Sequence, residues 1–304
     1  MEKRFLTIDE QVRLLESRGM RCGEKTELTL LREGYYAVVN GYKRPFLDPA
    51  ASSFEGEDRY LEGTSFSDVY ALFRFDRSLR ALTFRHLMMV EATLRSLTSY
   101  AFCSRHPKPE AYLDPNNFTQ RRDYIRGEDE YEGDLRWMID TLEHHARSRE
   151  RDPRGPGRDV RVAHFQDKHD TVPLWVLVDE LTFGNLKYLF ALLKRDEQLC
   201  VCDGLARISQ AGPKGTLTPR ELERDLEAIV DVRNLCAHGE RLYDARVGID
   251  DAVDYVGFVG MVARFLDPSD LARLVGGIET LVADYSAKSA TIARDLERTH
   301  LAGI

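Results

Sequence analysis

The stretch from Thr218 to Gly239 constrains this chain most, because it carries the start, the buried face and the end of one helix. Thr218 is a favoured N-cap residue, Pro219 suits the first helical position, and Glu221 stands where a capping box has its acid. Apolar residues then recur at spacings of three and four, at Leu222, Leu226, Ile229 and Val230. Gly239 suits the end of such a helix. The stretch therefore predicts an amphipathic helix packed against a core.

Arg233 falls on the same stripe, at a place where the pattern calls for an aliphatic side chain. An ion buried without a partner is costly, so an inward arginine predicts an answering carboxylate, a partner subunit or a ligand. Asn234 and His238 follow, four residues apart and therefore on one face. Arg233 and His238 differ in direction by about 140° on a straight helix. They converge on one anion only if the helix ends or bends near Gly239, or if the partner side chain comes from elsewhere.

A second capping signature, Ser65 with Asp68, predicts a long helix over roughly 66–104. Its apolar stripe contains one carboxylate, Glu91, among Phe84, Leu87, Leu94 and Ala101. Two pairings would satisfy this carboxylate, and the sequence leaves both open. Glu91 pairs with Arg95 on its own helix as a structural ion pair, or it orients Arg233 across the core. The looser spacing of Arg80 and His86 is treated as chance, since His86 does not share the stripe.

Strand signals are scarce along the chain, which predicts an all-α protein with short extended pieces at most. A chain of 304 residues can bury a large core. Its net charge of −8 argues against a protein that binds polyanions over its whole surface. The apolar run 255–266 contains Arg264 and falls short of the about 20 residues that span a membrane. No signal peptide is evident, and five irregularly spaced cysteines favour free thiols in a cytoplasmic protein.

Shorter helices are expected at 8–18, 27–33 and 130–149, and two more on either side of a corner near Thr182. Two or three helices follow Asp244. A locally basic loop contains Arg147, Arg149, Arg151, Arg154 and Arg158. This loop is either a handle for RNA or a surface loop of intermixed charge.

Five stretches, in this order, resemble the Abi-like (AbiD/AbiF-type) abortive-infection family of bacterial phage-defence proteins. They are Tyr35, Tyr36, Asn40, Gly41 and Tyr42 with Pro45 and Phe46; Phe75, Asp76, Arg77, Ser78, Leu79 and Arg80 with Glu91 and Arg95; His164, Phe165 and His169; Pro173, Leu174 and Trp175 with Thr182, Phe183 and Gly184; and Arg233, Asn234, Leu235, Cys236, Ala237 and His238 with Arg241 and Leu242. Together they cover about residues 5–245.

This family is similar to the HEPN superfamily, so the resemblance implies an all-α, HEPN-like helical bundle over residues 61–245. An N-terminal helical segment (1–60) and C-terminal helices (246–304) elaborate it, and an irregular basic insertion lies near 104–172. The implied active site consists of Arg233, Asn234 and His238, supported by Glu91 and Arg95, with no metal and no cofactor. The implied partners are an RNA substrate and a second copy of the chain. Whether a small RNA or a protein antitoxin holds the activity silent stays open.

The same residues suit RNA cleavage chemically. RNA carries its own nucleophile, the 2′-hydroxyl. Histidine transfers protons near neutral pH, and the guanidinium fork of arginine fits phosphate oxygens. This chemistry predicts a metal-independent endoribonuclease, and the resemblance implies that it acts in phage defence or in a toxin–antitoxin system. Two alternatives remain: a non-catalytic module that binds RNA or protein through the same motif, and a purely structural polar core.

Overall fold

The computed structural model describes residues 4–147, 160–211 and 217–304 of the chain. Within these ranges the protein is helical, and its β pairing consists of isolated bridges such as the one between Arg21 and Ser65. The prediction of an all-α protein is confirmed. The α-helices are α1 (Ile8–Ser17), α2 (Thr26–Glu33), α3 (Pro49–Glu55), α4 (Phe66–Arg105), α5 (Tyr131–Ala146), α6 (Val160–Lys168), α7 (Leu174–Leu177), α8 (Phe183–Leu192), α9 (Arg195–Ile208), α10 (Pro219–His238), α11 (Tyr255–Val262), α12 (Pro268–Ser286) and α13 (Ala290–Arg298).

The two helices that the capping signals predicted are present at the expected places. Thr218 and Glu221 form a capping box at the start of α10, and Ser65 and Asp68 form one at the start of α4. Gly239 ends α10 in the left-handed conformation, with φ of 73°. Its amide donates to the carbonyl of Leu235, which satisfies one of the open carbonyl groups of the last turn.

Helix α9 is the main element that the sequence patterns did not predict. Its N-cap residue is Lys194, which is not among the favoured N-cap residue types. Its interior holds Cys200, Cys202 and Gly204, so the apolar periodicity is weak. Tertiary packing holds this segment in a helix, since Val201, Cys202 and Leu205 are buried.

Helix α4, with 40 residues and a length of about 60 Å, is the axis on which the other helices pack. Helices α9, α10 and α12 all contact it. Two glycines permit a close approach: a Cβ added at Gly204 would lie 2.6 Å from Leu97 Cδ2, and one at Gly277 would lie 2.8 Å from Leu82 Cδ2. Glycine has no Cβ atom, so the backbones of α9 and α12 lie directly against the leucines of α4 at these two positions.

The described part of the chain contains no helix that is both long enough and apolar enough to cross a membrane. All five cysteines are free. The three-part division with boundaries near residues 60 and 245 stays a prediction.

Candidate functional site

The C-terminal end of α10 presents the sequence-predicted residues at the surface. Asn234 and His238 are exposed, and Arg233 is half-buried. The inward stripe before them is buried as expected at Leu222, Leu226 and Ile229. The motif is therefore accessible, and it is not sealed within the core.

The sequence left a carboxylate open as one possible partner of Arg233. Within the described part of the chain the arginine forms no ion pair, and its hydrogen bond runs from Nη1 to Asn234 Oδ1 at 3.4 Å. Its Nε atom is buried and has no hydrogen-bond partner among the described residues. A buried guanidinium donor without a partner is costly. The side chain as a whole is half-buried and has no carboxylate beside it among the described residues, so a partner subunit or a ligand remains as its counter-charge.

His238 is the last residue of α10, so its side chain still follows the direction of the helix. Arg233 and His238 are five positions apart, so their side chains point about 140° apart. The two side chains therefore leave a continuous helix in different directions.

Glu91 and Arg95 form an ion pair on α4, with Arg95 Nη2 lying 2.7 Å from Glu91 Oε1. Arg95 also donates to the carbonyl of Leu181 at 2.9 Å, and its Nε lies 4.0 Å from Asp179 Oδ1. Of the two pairings that the sequence left open, this is the one on the same helix. Through Arg95 the pair holds the backbone at Leu181, just before α8. No hydrogen bond joins Glu91 to Arg233.

A buried polar cluster on α4 holds the chain as it leaves the motif. The carboxylate of Asp76 is fully buried and accepts hydrogen bonds from the amides of Leu242 (3.1 Å) and Tyr243 (2.7 Å). Arg80 forms an ion pair with Asp76 and donates to the carbonyl of Glu240 at 2.9 Å. The turn after His238 is thus fixed by two side chains one helical turn apart.

Tyr42 completes this cluster from the N-terminal segment. Its hydroxyl donates to Asp76 Oδ2 at 2.5 Å and accepts from Arg80 Nη1 at 3.1 Å. Arg241, three residues beyond His238, donates in turn to the carbonyl of Gly41 at 2.7 Å. Three of the stretches that carry the resemblance, around Tyr42, Asp76 and Arg241, therefore meet behind the motif.

Sequence reasoning did not assign Asp76, Arg80 and Tyr42 to the site. The available signal was the spacing of four between Asp76 and Arg80, which places an acid and a base on one face of a helix. His86 is separate from this cluster: it is buried, and its Nδ1 lies 2.8 Å from the carbonyl of Leu82. His86 therefore shares the buried face of α4 with Arg80, contrary to the expectation that it lies off the stripe.

Two side chains near the motif are excluded from its chemistry by burial. Burial raises the pKa of the Cys236 thiol to about 12, so the group is protonated at neutral pH and is a poor nucleophile. Tyr243 is buried, and its hydroxyl donates to Asp295 Oδ2 at 2.8 Å. Within the described residues no group of three or more His, Cys, Asp or Glu side chains is arranged to hold a metal ion.

Only one arginine of the basic loop belongs to the described residues. Arg147 follows the last turn of α5, and its Nε lies 3.0 Å from Glu143 Oε1. Arg149, Arg151, Arg154 and Arg158 lie outside the described residues. The assignment of this loop to RNA stays a prediction.

Comparison with known protein families decides the affiliation. The family model described as "Abi-like protein" matches residues 29–244, which is most of the chain. The chain belongs to the Abi-like protein family. The match spans the Asp76 cluster and the Arg233–His238 motif of this Abi-like protein. Membership suggests a part in abortive-infection phage defence. Searches of curated proteins and of solved structures each returned no match.

Proposed function

We propose that this Abi-like protein is a metal-independent endoribonuclease of the HEPN type that acts in phage defence or in a toxin–antitoxin system. The observation that carries the proposal is the half-buried guanidinium of Arg233, which has no ion-pair partner among the described residues and lies beside the exposed Asn234 and His238. A phosphate oxygen is a strong acceptor that fits the geometry of such a group.

The proposed reaction is an attack of the ribose 2′-oxygen on the adjacent phosphorus. A 2′-oxygen–phosphorus bond forms and the 5′-oxygen–phosphorus bond breaks, leaving a 2′,3′-cyclic phosphate and a 5′-hydroxyl. His238 accepts the proton of the 2′-hydroxyl or donates one to the departing 5′-oxygen. Arg233 stabilises the charge that develops on the phosphate oxygens, and Asn234 positions Arg233 through the contact at 3.4 Å.

The active unit is proposed to be a homodimer. The divergence of Arg233 and His238 on a continuous helix supports a site that is completed by a second chain. In a two-fold dimer the same patch meets itself, so the ends of two α10 helices would face each other.

Substitution His238→Ala tests the proposal. RNA cleavage is expected to fall by ~10²-fold or more, because proton transfer by a side chain contributes at least this much. The fold should be unchanged, since His238 is exposed. His144→Ala is the matched control, because His144 is also an exposed imidazole in the last turn of a helix. Cleavage is measured on a labelled RNA beside the circular dichroism of each variant.

Three outcomes would contradict the nuclease. Cleavage that persists in His238→Ala, or that a chelator abolishes in the wild type, removes the proposed mechanism. RNA binding without cleavage in the wild type identifies a non-catalytic binding module. Inside cells, growth arrest on expression should disappear with His238→Ala and persist with His144→Ala.

A further inference from the structure

A second cationic surface lies at the other end of α10. A cleft of about 750 Å³ is lined by Arg122, Lys194, Arg195 and Arg220, with Asp123 as the lining carboxylate. We call these four cations the basic cleft. They come from three elements, namely the turn at Arg121–Asp123, the start of α9 and the start of α10. Four cations against one acid are notable in a chain whose net charge is −8.

The charges of the basic cleft are largely available to a ligand. Arg195 and Arg220 are exposed and have no hydrogen bond or ion pair with a described residue. Arg122 makes a weak contact of 3.4 Å with Asp123. Lys194 donates one proton to the carbonyl of Asn116 at 2.9 Å, which leaves two ammonium protons for other acceptors.

Three acidic residues at the starts of α9 and α10 each contact another group of the protein. Glu221 accepts from the amide of Thr218, and Glu197 accepts from the amide of Lys194. Asp196 lies 3.8 Å from Arg105. The positive ends of two helix dipoles add to the cationic side chains here, which favours an anion.

The basic cleft and the motif lie on the same side of α10, at its two ends. Arg220 and His238 are 18 residues apart, which is about five turns and ~27 Å, so they point in the same direction. Arg224 and Asn234 are exposed between them. Two acids also lie on this side: Asp231 accepts from the amide of Gly248 at 3.0 Å, and Glu227 pairs with Lys187 at 2.6 Å and with Arg126 at 2.5 Å.

We propose that the basic cleft binds the phosphodiester backbone of the RNA whose strand runs along α10 to the Arg233–His238 end. This inference rests on the proposed nuclease and adds where its substrate lies. A polyanion is favoured over a single phosphate, because four cations around a cleft of about 750 Å³ carry more positive charge than one phosphate would balance. The cleft then contributes affinity at a distance from the cleaved bond.

The test is the triple variant Arg122→Gln, Arg195→Gln and Arg220→Gln, matched by Arg13→Gln, Arg136→Gln and Arg207→Gln. The control arginines are exposed and lie on α1, on α5 and at the far end of α9. Binding of a labelled single-stranded RNA is measured over a range of salt concentrations. The cleft variant should lower the slope of log K against log salt by about 2, since each lost contact with a single strand removes ~0.7.

Cleavage kinetics give a second, independent reading. With the long RNA the cleft variant should raise KM and leave kcat unchanged, because the lost contacts are remote from the reacting bond. A dinucleotide that cannot span ~27 Å should be cut equally by the wild type, the cleft variant and the control variant. Thermal unfolding followed by circular dichroism should be alike for all three proteins, since all six substitutions are on the surface.

The outcomes separate this inference from the proposed function. If the wild type cuts RNA and the cleft variant keeps the wild-type salt slope and KM, the basic cleft does not bind the substrate, although the nuclease stands. If the cleft variant loses activity on the dinucleotide as well, the cleft is not remote from the reaction, and the proposed path of the RNA along α10 is wrong. If the wild type neither binds nor cuts RNA, the proposed function fails, and the inference fails with it.

Discussion

Asp76 does not belong to the motif, but it holds the backbone that follows the motif. Its carboxylate accepts from two backbone amides and from Tyr42, and it pairs with Arg80. These contacts fix the backbone from Glu240 to Tyr243, directly after the end of α10. The position of His238 therefore depends on a buried ion pair of another helix.

Substitution Asp76→Asn is expected to lower the free energy of unfolding by about 3–5 kcal/mol. The guanidinium of Arg80 would then be buried without its counter-charge, which is the costly way to break a buried ion pair. Urea unfolding followed by circular dichroism measures the change. Asp140→Asn, an exposed carboxylate on α5, should stay within about 0.5 kcal/mol of the wild type. An equally small effect at Asp76 would show that the cluster is not required for stability.

At the scale of the element, the start of α9 combines a cap with an unusual carboxyl group. Glu197 is fully buried, accepts from the amide of Lys194 at 2.9 Å and lies 2.9 Å from His106 Nε2. Burial raises the pKa of Glu197 to about 7 and lowers the pKa of His106. Both groups are disfavoured in their charged forms for the same reason, which is the loss of hydration.

This arrangement predicts a stability that depends on pH in a defined direction. The folded pKa of Glu197 is higher than its ordinary value of 4.5, so the folded protein binds this proton more tightly. The stabilising contribution is fully present below pH 4.5 and is lost as the pH rises to about 7. Within this window the slope should reach at most about 1.4 kcal/mol per pH unit.

The variant Glu197→Gln should remove this component of the pH dependence, because glutamine keeps an oxygen for the cap and does not titrate. Urea unfolding of both proteins between pH 4.5 and about 7 gives the difference curve, in which contributions shared by the two proteins cancel. Asp203→Asn, an exposed acid on the same helix, should keep the wild-type dependence. Parallel curves for the wild type and Glu197→Gln would contradict the raised pKa.

At the scale of the whole molecule, the question is how many chains make one site. In the proposed dimer, each chain would contribute one Arg233 and one His238, which diverge on α10. RNA held by the basic cleft of each chain would then reach a shared centre at the ends of the two α10 helices. The assembly and the basic cleft are separate proposals, since the first concerns the motif end of the helix and the second its start.

Mixing two inactive variants distinguishes a shared site from two independent ones. Arg233→Ala and His238→Ala homodimers are each expected to be inactive. After subunit exchange, a mixed dimer retains one Arg233 and one His238 on opposite chains, so roughly a quarter of the wild-type activity should return. The measurement is RNA cleavage beside sedimentation velocity, which reports the dimer. Exchange without any recovery of activity would place each complete site within one chain.

The sequence by itself determined the helical class, the bounds of α4 and α10, and the polar break in the stripe at Arg233. These features are local, since caps, helix-stop residues and a period of 3.6 act within a few turns of one segment. It also left the partner of Glu91 open between Arg95 and Arg233. The period of the apolar residues shows which way a side chain points, but it does not show which residue of another helix lies there.

Only the tertiary structure decided that Glu91 pairs with Arg95, that Asp76 and Tyr42 hold the chain beyond the motif, and that Arg233 keeps a donor unsatisfied. It also formed α9 from a segment with weak local signals and gathered four cations into the basic cleft. The physical reason is the same in each case. These contacts join residues far apart in the sequence, and their energies depend on burial that exists only after the helices have packed on α4.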